Sequence, residues 1–466
     1  MARPISISRR RRNSELTMIV MVALITGGGY TLAALGTNSE IPARVVPFVV
    51  AVVGLLVAAH IGVRILARGA DATLLPLAAF LHGIGYVMIT RIDEDLAALQ
   101  TVWSFVSVFA FLATLILVQR ATDLARFKWV LFMIGAGLLV LPMAPGLGTD
   151  FNTGARIWVS LGPINFQPGE FAKLALAIFF AAYLAETREL LAAGTWRLGP
   201  LHLPSPRYML PILIAWGFSV LVMVGEKDLG SSLLFFTLFV VMLWVATQRL
   251  TFLLIGVVLF AGAAYIAWKT FGHVQQRVDI WLNPWADPLD DGYQIIQGLY
   301  GLSDGGILGT GLGVGDPGTV PAAHNDFIFA SIGEELGLVG AATVLVAYLL
   351  LVGGGLRIAM RTENAFEKLL AVGLTTIVGI QAFIIVGGVI KVIPLTGITL
   401  PFVSYGGSSL LANYILLAMM LRLSDSSARR LGELPDDPTL GERWAAWRLR
   451  RAEDRDARRA PAGVSA

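Results

Sequence analysis

The chain of 466 residues contains no cysteine. That excludes structural disulfides, thiolate metal sites and a cysteine nucleophile. Charge is scarce too. Only 14% of residues are Asp, Glu, Lys or Arg, against roughly 25% in an ordinary soluble domain. Histidine is limited to His60, His82, His202, His273 and His324, without HxxxH or HxxH spacing, which argues against a histidine-rich metal site. What the chain has in abundance is apolar residue, 56% of the total, gathered in runs of about 18 residues or more, the length that spans a bilayer. The expected fold class is therefore an all-α polytopic membrane protein. A soluble enzyme, a secreted disulfide scaffold and a disordered chain are excluded.

Hydropathy predicts twelve transmembrane helices, near 16–36, 43–63, 72–91, 97–118, 128–147, 169–186, 208–225, 229–247, 250–269, 326–352, 366–389 and 399–421. An even number puts both termini on one side. Of 35 Lys and Arg residues, only Arg44, Arg91, Arg156, Lys173, Lys227, Lys269, Arg277 and Lys391 fall on the other side. The positive-inside bias makes the crowded side cytoplasmic. Residues 1–15 then form a basic cytoplasmic N-terminus, 16–422 the transmembrane domain and 423–466 a mobile cytoplasmic tail. The first apolar run is too long for a cleavable signal peptide and lacks a cleavage site. His60 and His82 fall inside spans, where a lone histidine usually serves an interhelical hydrogen bond.

Two outer loops, about 148–168 and 270–325, exceed the usual connection length, and long loops are often functional. In the second, Tyr293, Ile295, Ile296, Leu299 and Leu302 make an amphipathic stretch, read as a short interfacial helix. Glycines 305, 306, 309, 311, 313 and 315 then mark tight turns, whose backbone N–H groups either simply turn or face an anion. Charged residues collect at outer helix ends: Glu170 and Lys173 three apart on one helix face, Glu226 to Asp228 in a tight turn, and Asp326, Glu334 and Glu335 opening the tenth helix. Ionisable groups at such positions are functional candidates or interfacial charges that snorkel to water. Pro394 and Pro401 flank Thr396 and Gly397, which predicts a broken approach to the last helix, with Ser404 to Ser409 as polar, close-packed surface.

Several words in this chain resemble those of the SEDS family, the RodA/FtsW/SpoVE cell-shape and division proteins. They are Phe166–Lys173, Asp228–Gly230, Asn283–Pro288, Gly292–Gln297, His324–Phe329, Gly333–Gly337 and Pro394–Ser409. They follow the family's order across about 154–422, and together they are highly specific. The family usually has ten helices. The two additional ones precede the first long outer loop, an arrangement that resembles actinobacterial RodA-type members, as does Ser409–Asn413. Gly169 and Gly298 stand where serine is usual, and Asn325 where threonine or serine is common. None of these departures removes a charge.

The resemblance implies a peptidoglycan glycosyltransferase that polymerises lipid II on the outer face of the cytoplasmic membrane. Its partner would be a class B penicillin-binding protein, a transpeptidase, and its ligands lipid II and a polyprenyl-pyrophosphate-linked glycan, with no nucleic acid involved. The family's catalytic acid maps onto Asp326. Displacing a polyprenyl pyrophosphate from C1 of one sugar by the 4-hydroxyl of another needs a base, cations for the leaving group and an apolar surface for lipid tails. Asp326 suits the base, and a helix dipole would favour its ionised form, making it a weak base. Arg156, Lys173, Arg277 and Lys391 are the cation candidates, with Trp158, Glu170, His324 and Ser404 as further substrate-binding candidates. A divalent cation, Mg or Mn, would assist, but the sequence shows no closed ligand set and no metal residue is assigned. The extra helices favour an elongation role over an FtsW-type division role. A lipid II flippase and a non-catalytic scaffold are the alternatives from other classes.

Overall fold

The apolar runs become helices because a backbone in lipid has only its own N–H and C=O groups to bond. In the computed structural model, the residues described are 7–38, 45–144, 148–149, 157–161, 164–192, 196–198, 201–203 and 225–433, with 210, 213–214, 216–218 and 220 between. The helices are α1 (Ile7–Asn38), α2 (Val45–Leu66), α3 (Leu74–Ile92), α4 (Glu94–Leu117), α5 (Lys128–Val140), α6 (Gly169–Ala192), α7 (Leu229–Thr247), α8 (Leu250–Thr270), α9 (Gly272–Leu282), α10 (Tyr293–Gly305), α11 (Ile328–Arg361), α12 (Ala365–Val389) and α13 (Gly407–Arg430). The strands are β1 (Gly148–Thr149), β2 (Trp158–Leu161), β3 (Ile164–Phe166), β4 (Trp196–Leu198) and β5 (Leu201–Leu203). β1–β2–β3 form an antiparallel sheet and β4–β5 a hairpin.

Among the described residues, ten helices are long and apolar enough to cross a membrane, the fifth being the stretch Ala121–Met143 around α5. α6 is 24 residues long but carries Glu170, Lys173, Glu186, Arg188 and Glu189. The remaining expected span, 208–225, lies mostly outside the described residues. α12 and α13 are innermost, with 78% and 83% of their apolar windows buried, whereas α2 and α8 bury 11% each and turn apolar side chains outward.

Polar side chains cap the starts of α4, α7 and α12. Asp93 ends α3 and caps α4, its Oδ1 accepting from the N–H groups of Asp95 and Leu96 at 2.9 and 3.1 Å. Asp228 caps α7 through Ser231 N–H at 3.0 Å, and Asn364 caps α12 through Glu367 N–H at 3.0 Å. Each satisfies a donor that the first helical turn leaves unpaired. At the opposite end, Arg422 donates to the carbonyls of Leu66, at 2.7 Å, and Leu115, satisfying acceptors at the C-termini of α2 and α4.

Three boundaries differ from the sequence expectation. The span predicted at 326–352 is broken: Gly337, with φ 65° and ψ −168°, separates a short helix (328–336) from a long one that reaches Arg361. Only glycine takes this conformation without strain, and a Cβ there would lie 2.3 Å from the nitrogen of Gly309. The helix predicted from 399 begins at Gly407, because 391–406 is irregular backbone folded against other helices. It then runs to Arg430 rather than stopping at 421. Buried Asp425 accepts from Gly69 N–H at 2.6 Å and from Arg429 Nε at 2.9 Å, which keeps that last turn packed. The rest of the tail expected to be mobile, from 434 onward, lies outside the described residues.

Both intramembrane histidines bond between helices. His60 Nδ1 lies 2.7 Å from Glu15 of α1, and His82 Nδ1 lies 2.8 Å from the Tyr414 hydroxyl of α13.

Candidate active site

Asp326 lies in the turn that precedes the short helix 328–336, half-buried. Burial pushes its carboxyl up to about 6, against the opposing pull of its own backbone N–H and of the Arg277 guanidinium. The expected helix-dipole dominance therefore does not hold. Helix 328–336 starts two residues further on, and desolvation outweighs the stabilising groups. A carboxylate in this range is ionised at neutral pH, yet takes a proton more readily than an exposed aspartate.

The segment 400–405 holds its neighbours in place. Ser404 Oγ donates to the Asn325 carbonyl at 2.5 Å and accepts from Leu400 N–H at 2.8 Å, while Tyr405 N–H donates to the His324 carbonyl at 2.9 Å. The His324 and Tyr405 rings meet edge to face at 5.8 Å. Asp93 sits close enough to oppose the lowering of the His324 pKa by burial and to add to the raising of Tyr405 by burial. Ser404 is itself buried, so it acts on backbone rather than facing a ligand.

Arg277 comes from α9. Its Nη1 donates to the Leu395 carbonyl at 2.8 Å, and Gly397 lies against the guanidinium. Trp281, one turn later, donates to the Lys391 carbonyl at 3.0 Å. α9 thus straps the 391–397 segment, with Lys391 in the left-handed region at φ 60°. Arg277 also faces Asp228, whose carboxyl burial raises against the pull of Ser231 and of Arg277, with Glu170 adding to the rise.

Glu170 and Lys173 are both buried and paired at 2.6 Å. Lys173 Nζ also donates to Gln381 Oε1 at 2.9 Å. Gln381 Nε2 donates to the Thr399 carbonyl at 2.9 Å, and Thr399 Oγ1 to Ser409 Oγ at 2.7 Å. Lys173 is thereby committed to protein partners. Glu226 is buried, and its Oε1 has no hydrogen-bond partner among the described residues. Burial, then the charge of Asp228, pushes its carboxyl up to about 8.

The structure brings together Asp326, Arg277, His324 and Ser404, and sets the Glu170–Lys173 pair beyond Asp228. Trp158 lies on β2 in register with Thr149. Arg156 lies outside the described residues. Glu334 and Glu335 take structural parts. Glu334 Oε1 accepts from Asp316 N–H at 2.6 Å, and Glu335 Oε2 from Gly313 N–H at 3.0 Å, with Arg91 Nε 3.1 Å from its other oxygen. These carboxylates occupy N–H groups of the glycine turns that an external anion would have needed. Sequence reasoning did not single out Asp93 or Gln381. Their signals were a charged cap between two spans and an amide inside an apolar one. Among the described residues no three His, Asp or Glu side chains are grouped so as to hold a metal ion.

A family model described as cell cycle protein, FtsW/RodA/SpoVE, matches residues 72–429. The chain belongs to this family. Peptidoglycan glycosyltransferase RodA of Mycobacterium tuberculosis is 43% identical over 435 residues, covering 91% of this chain and 93% of that protein. Stage V sporulation protein E of Bacillus subtilis is 35% identical over 298 residues, covering 63% and 78%. Among solved structures, a chain of a peptidoglycan synthase complex that coordinates polymerization and crosslinking superposes with a TM-score of 0.64 at 27% identity, over 77% of this chain and 98% of that one. Rod shape determining protein RodA of Thermus thermophilus gives 0.53 at 26% identity, over 76% and 96%. The departures from the FtsW/RodA/SpoVE words have physical counterparts. A Cβ at Gly298 would come 2.6 Å from the Phe327 ring, so glycine lets Phe327 lie against α10. Gly169 has open space, and Asn325 serves through its backbone.

Proposed function

We propose that this multi-pass membrane protein is a peptidoglycan glycosyltransferase that polymerises lipid II into glycan strands on the outer face of the cytoplasmic membrane, in cell elongation. The observation that carries the mechanism is the half-buried Asp326 beside Arg277, raised by burial into the range of a general base.

In this mechanism Asp326 takes the proton of the acceptor's 4-hydroxyl as its oxygen attacks C1 of the donor sugar. The C1–O bond to the pyrophosphate breaks, and the departing phosphate oxygen keeps the electron pair. Direct displacement inverts C1, by analogy with glycosidase geometry. Arg277, fixed by the Leu395 carbonyl, leaves further N–H donors for the developing charge. Lys173, held by Glu170 and Gln381, shapes the site instead of clamping phosphate.

The Lys/Arg distribution supports a cytoplasmic location for both termini and an outer location for Asp326. The extent of likeness to RodA proteins, 91% of the chain against 62% for an FtsW of Geobacter metallireducens, supports elongation over division. A class B penicillin-binding protein is the proposed partner, by analogy with the synthase complex.

The test is polymerisation of lipid II by the purified complex, wild type against Asp326→Asn. Long strands from wild type and none from the variant support the reading. Equal strands from both remove Asp326 as base. A folded complex inactive in both forms favours a flippase or scaffold.

A further inference from the structure

Helices α1 and α2 precede the residues matched by the family model, and the mechanism above gives them no part. α1 crosses α3 closely: a Cβ at Gly83 would lie 2.1 Å from Thr26 Oγ1. Its C-terminal end meets the glycine turns of the long loop. A Cβ at Gly36 would lie 2.2 Å from the Leu312 carbonyl oxygen, and one at Gly313 would lie 2.2 Å from the Ala33 carbonyl oxygen. The two backbones touch, and Gly313 has φ +82°. The Leu312 side chain packs beside Gly29 of the same helix.

From this contact a continuous chain leads to Asp326. Gly313 N–H donates to Glu335 at 3.0 Å, and Asp316 N–H to Glu334 at 2.6 Å. Arg91 joins Glu335 to the Gly315 carbonyl, which it reaches at 2.6 Å. Thr310 and Gly311 N–H donate to the carbonyls of Glu334 and Glu335 at 2.9 and 3.0 Å. Both glutamates belong to the short helix 328–336, which opens two residues after Asp326. α1 is anchored at its other end as well. Glu15, fully buried, pairs with His60 and Arg64, and Arg11 reaches the Gly69 carbonyl at 2.6 Å and Glu433 at 2.5 Å.

We infer that Gly36 and Gly313 are positioning residues for Asp326, and that α1 is a brace holding the short helix 328–336 in register with the acceptor hydroxyl. A helix fixed at both ends resists displacement of the loop it touches, and small displacements of a catalytic group are costly. About 1 Å of misplacement can lower a rate roughly a hundredfold.

The inference rests on the glycosyltransferase reading, and the full-length protein with its class B partner tests it by lipid II polymerisation. Gly36→Leu forces the Leu312 backbone away. Its kcat should fall at least about tenfold with KM within about twofold of wild type, the pattern of lost transition-state geometry with binding kept. Hydrogen exchange should quicken over 306–327 and stay unchanged in α12 and α13. Gly28→Leu is the control, because Gly28 is exposed with open space around it, and should match wild type. Leu312→Ala, which removes bulk and so spares folding, should lower kcat in the same direction by less. It decides the question if Gly36→Leu does not fold. Wild-type kcat in both Gly36→Leu and Leu312→Ala, a loss confined to KM, or an equal loss in Gly28→Leu overturns the brace. An inactive wild type would instead defeat the glycosyltransferase reading.

Discussion

The Ser404 hydroxyl donates to the backbone carbonyl of Asn325 at 2.5 Å, so a residue of the irregular segment before α13 fixes the peptide next to Asp326. The same hydroxyl accepts from Leu400 N–H at 2.8 Å. Both of its hydrogen-bonding roles are therefore filled by backbone.

Ser404→Ala leaves a half-buried carbonyl and a buried N–H without this partner, which costs about 1–3 kcal/mol. The expected outcome is a lower Tm together with reduced kcat and little change in KM. Thermal unfolding in detergent and steady-state polymerisation check it. A raised KM at unchanged kcat would return Ser404 to a substrate-binding role.

The polymerisation rate should follow ionisation of Asp326. The base acts deprotonated, so kcat/KM rises with pH through about 6 and levels above it. Arg277 pulls that carboxyl down, so Arg277→Gln should move the rise to higher pH as well as lowering the plateau. A pH–rate profile of both proteins measures it. A profile unmoved by the substitution would place the titration elsewhere.

Glu226 should make stability fall as pH rises. Its carboxyl is raised to about 8 from 4.5, so between those values the folded protein holds a proton that the unfolded chain releases. Stability then declines with pH across that window and is flat on either side. Glu226→Gln removes the titration. The variant should be more stable than wild type above about pH 8, by an amount of the order of a few kcal/mol. The difference should shrink on acidification. Unfolding curves at pH 5 and pH 8.5 test the sign.

Arg91 and Glu335 should be strongly coupled. Glu335 is fully buried and Arg91 half-buried, 3.1 Å apart. Arg91→Ala strands a buried carboxylate, at a cost of about 3–5 kcal/mol. Arg91→Met combined with Glu335→Leu should lose less than the sum of the single changes. A double-mutant cycle by unfolding free energy measures the coupling.

The sequence by itself determined the class and most spans, and its family words pointed to Asp326 as the proposed base. Apolar runs of bilayer length leave the backbone no choice but helix. The amphipathic stretch from Tyr293 became α10 because its apolar face had the helical period. His60 and His82 bond across helices because a lone imidazole in lipid must find a partner. Local pattern carries such information.

What only tertiary structure decided concerns groups whose partners are remote in sequence. Glu334 and Glu335 read as candidate site charges until the turns at Gly313 and Asp316 folded onto them. Lys173 read as a candidate cation for the leaving group, yet Gln381, 208 residues away, completes its burial. Asp326 read as a carboxylate kept acidic by a helix, and desolvation by its surroundings reverses that. Gly337 gave no sign of breaking a helix until Gly309 occupied the space a Cβ would need. Periodicity fixes which face of a helix is apolar. Burial, charge pairing and backbone contact arise between segments, and they exist only once those segments have met.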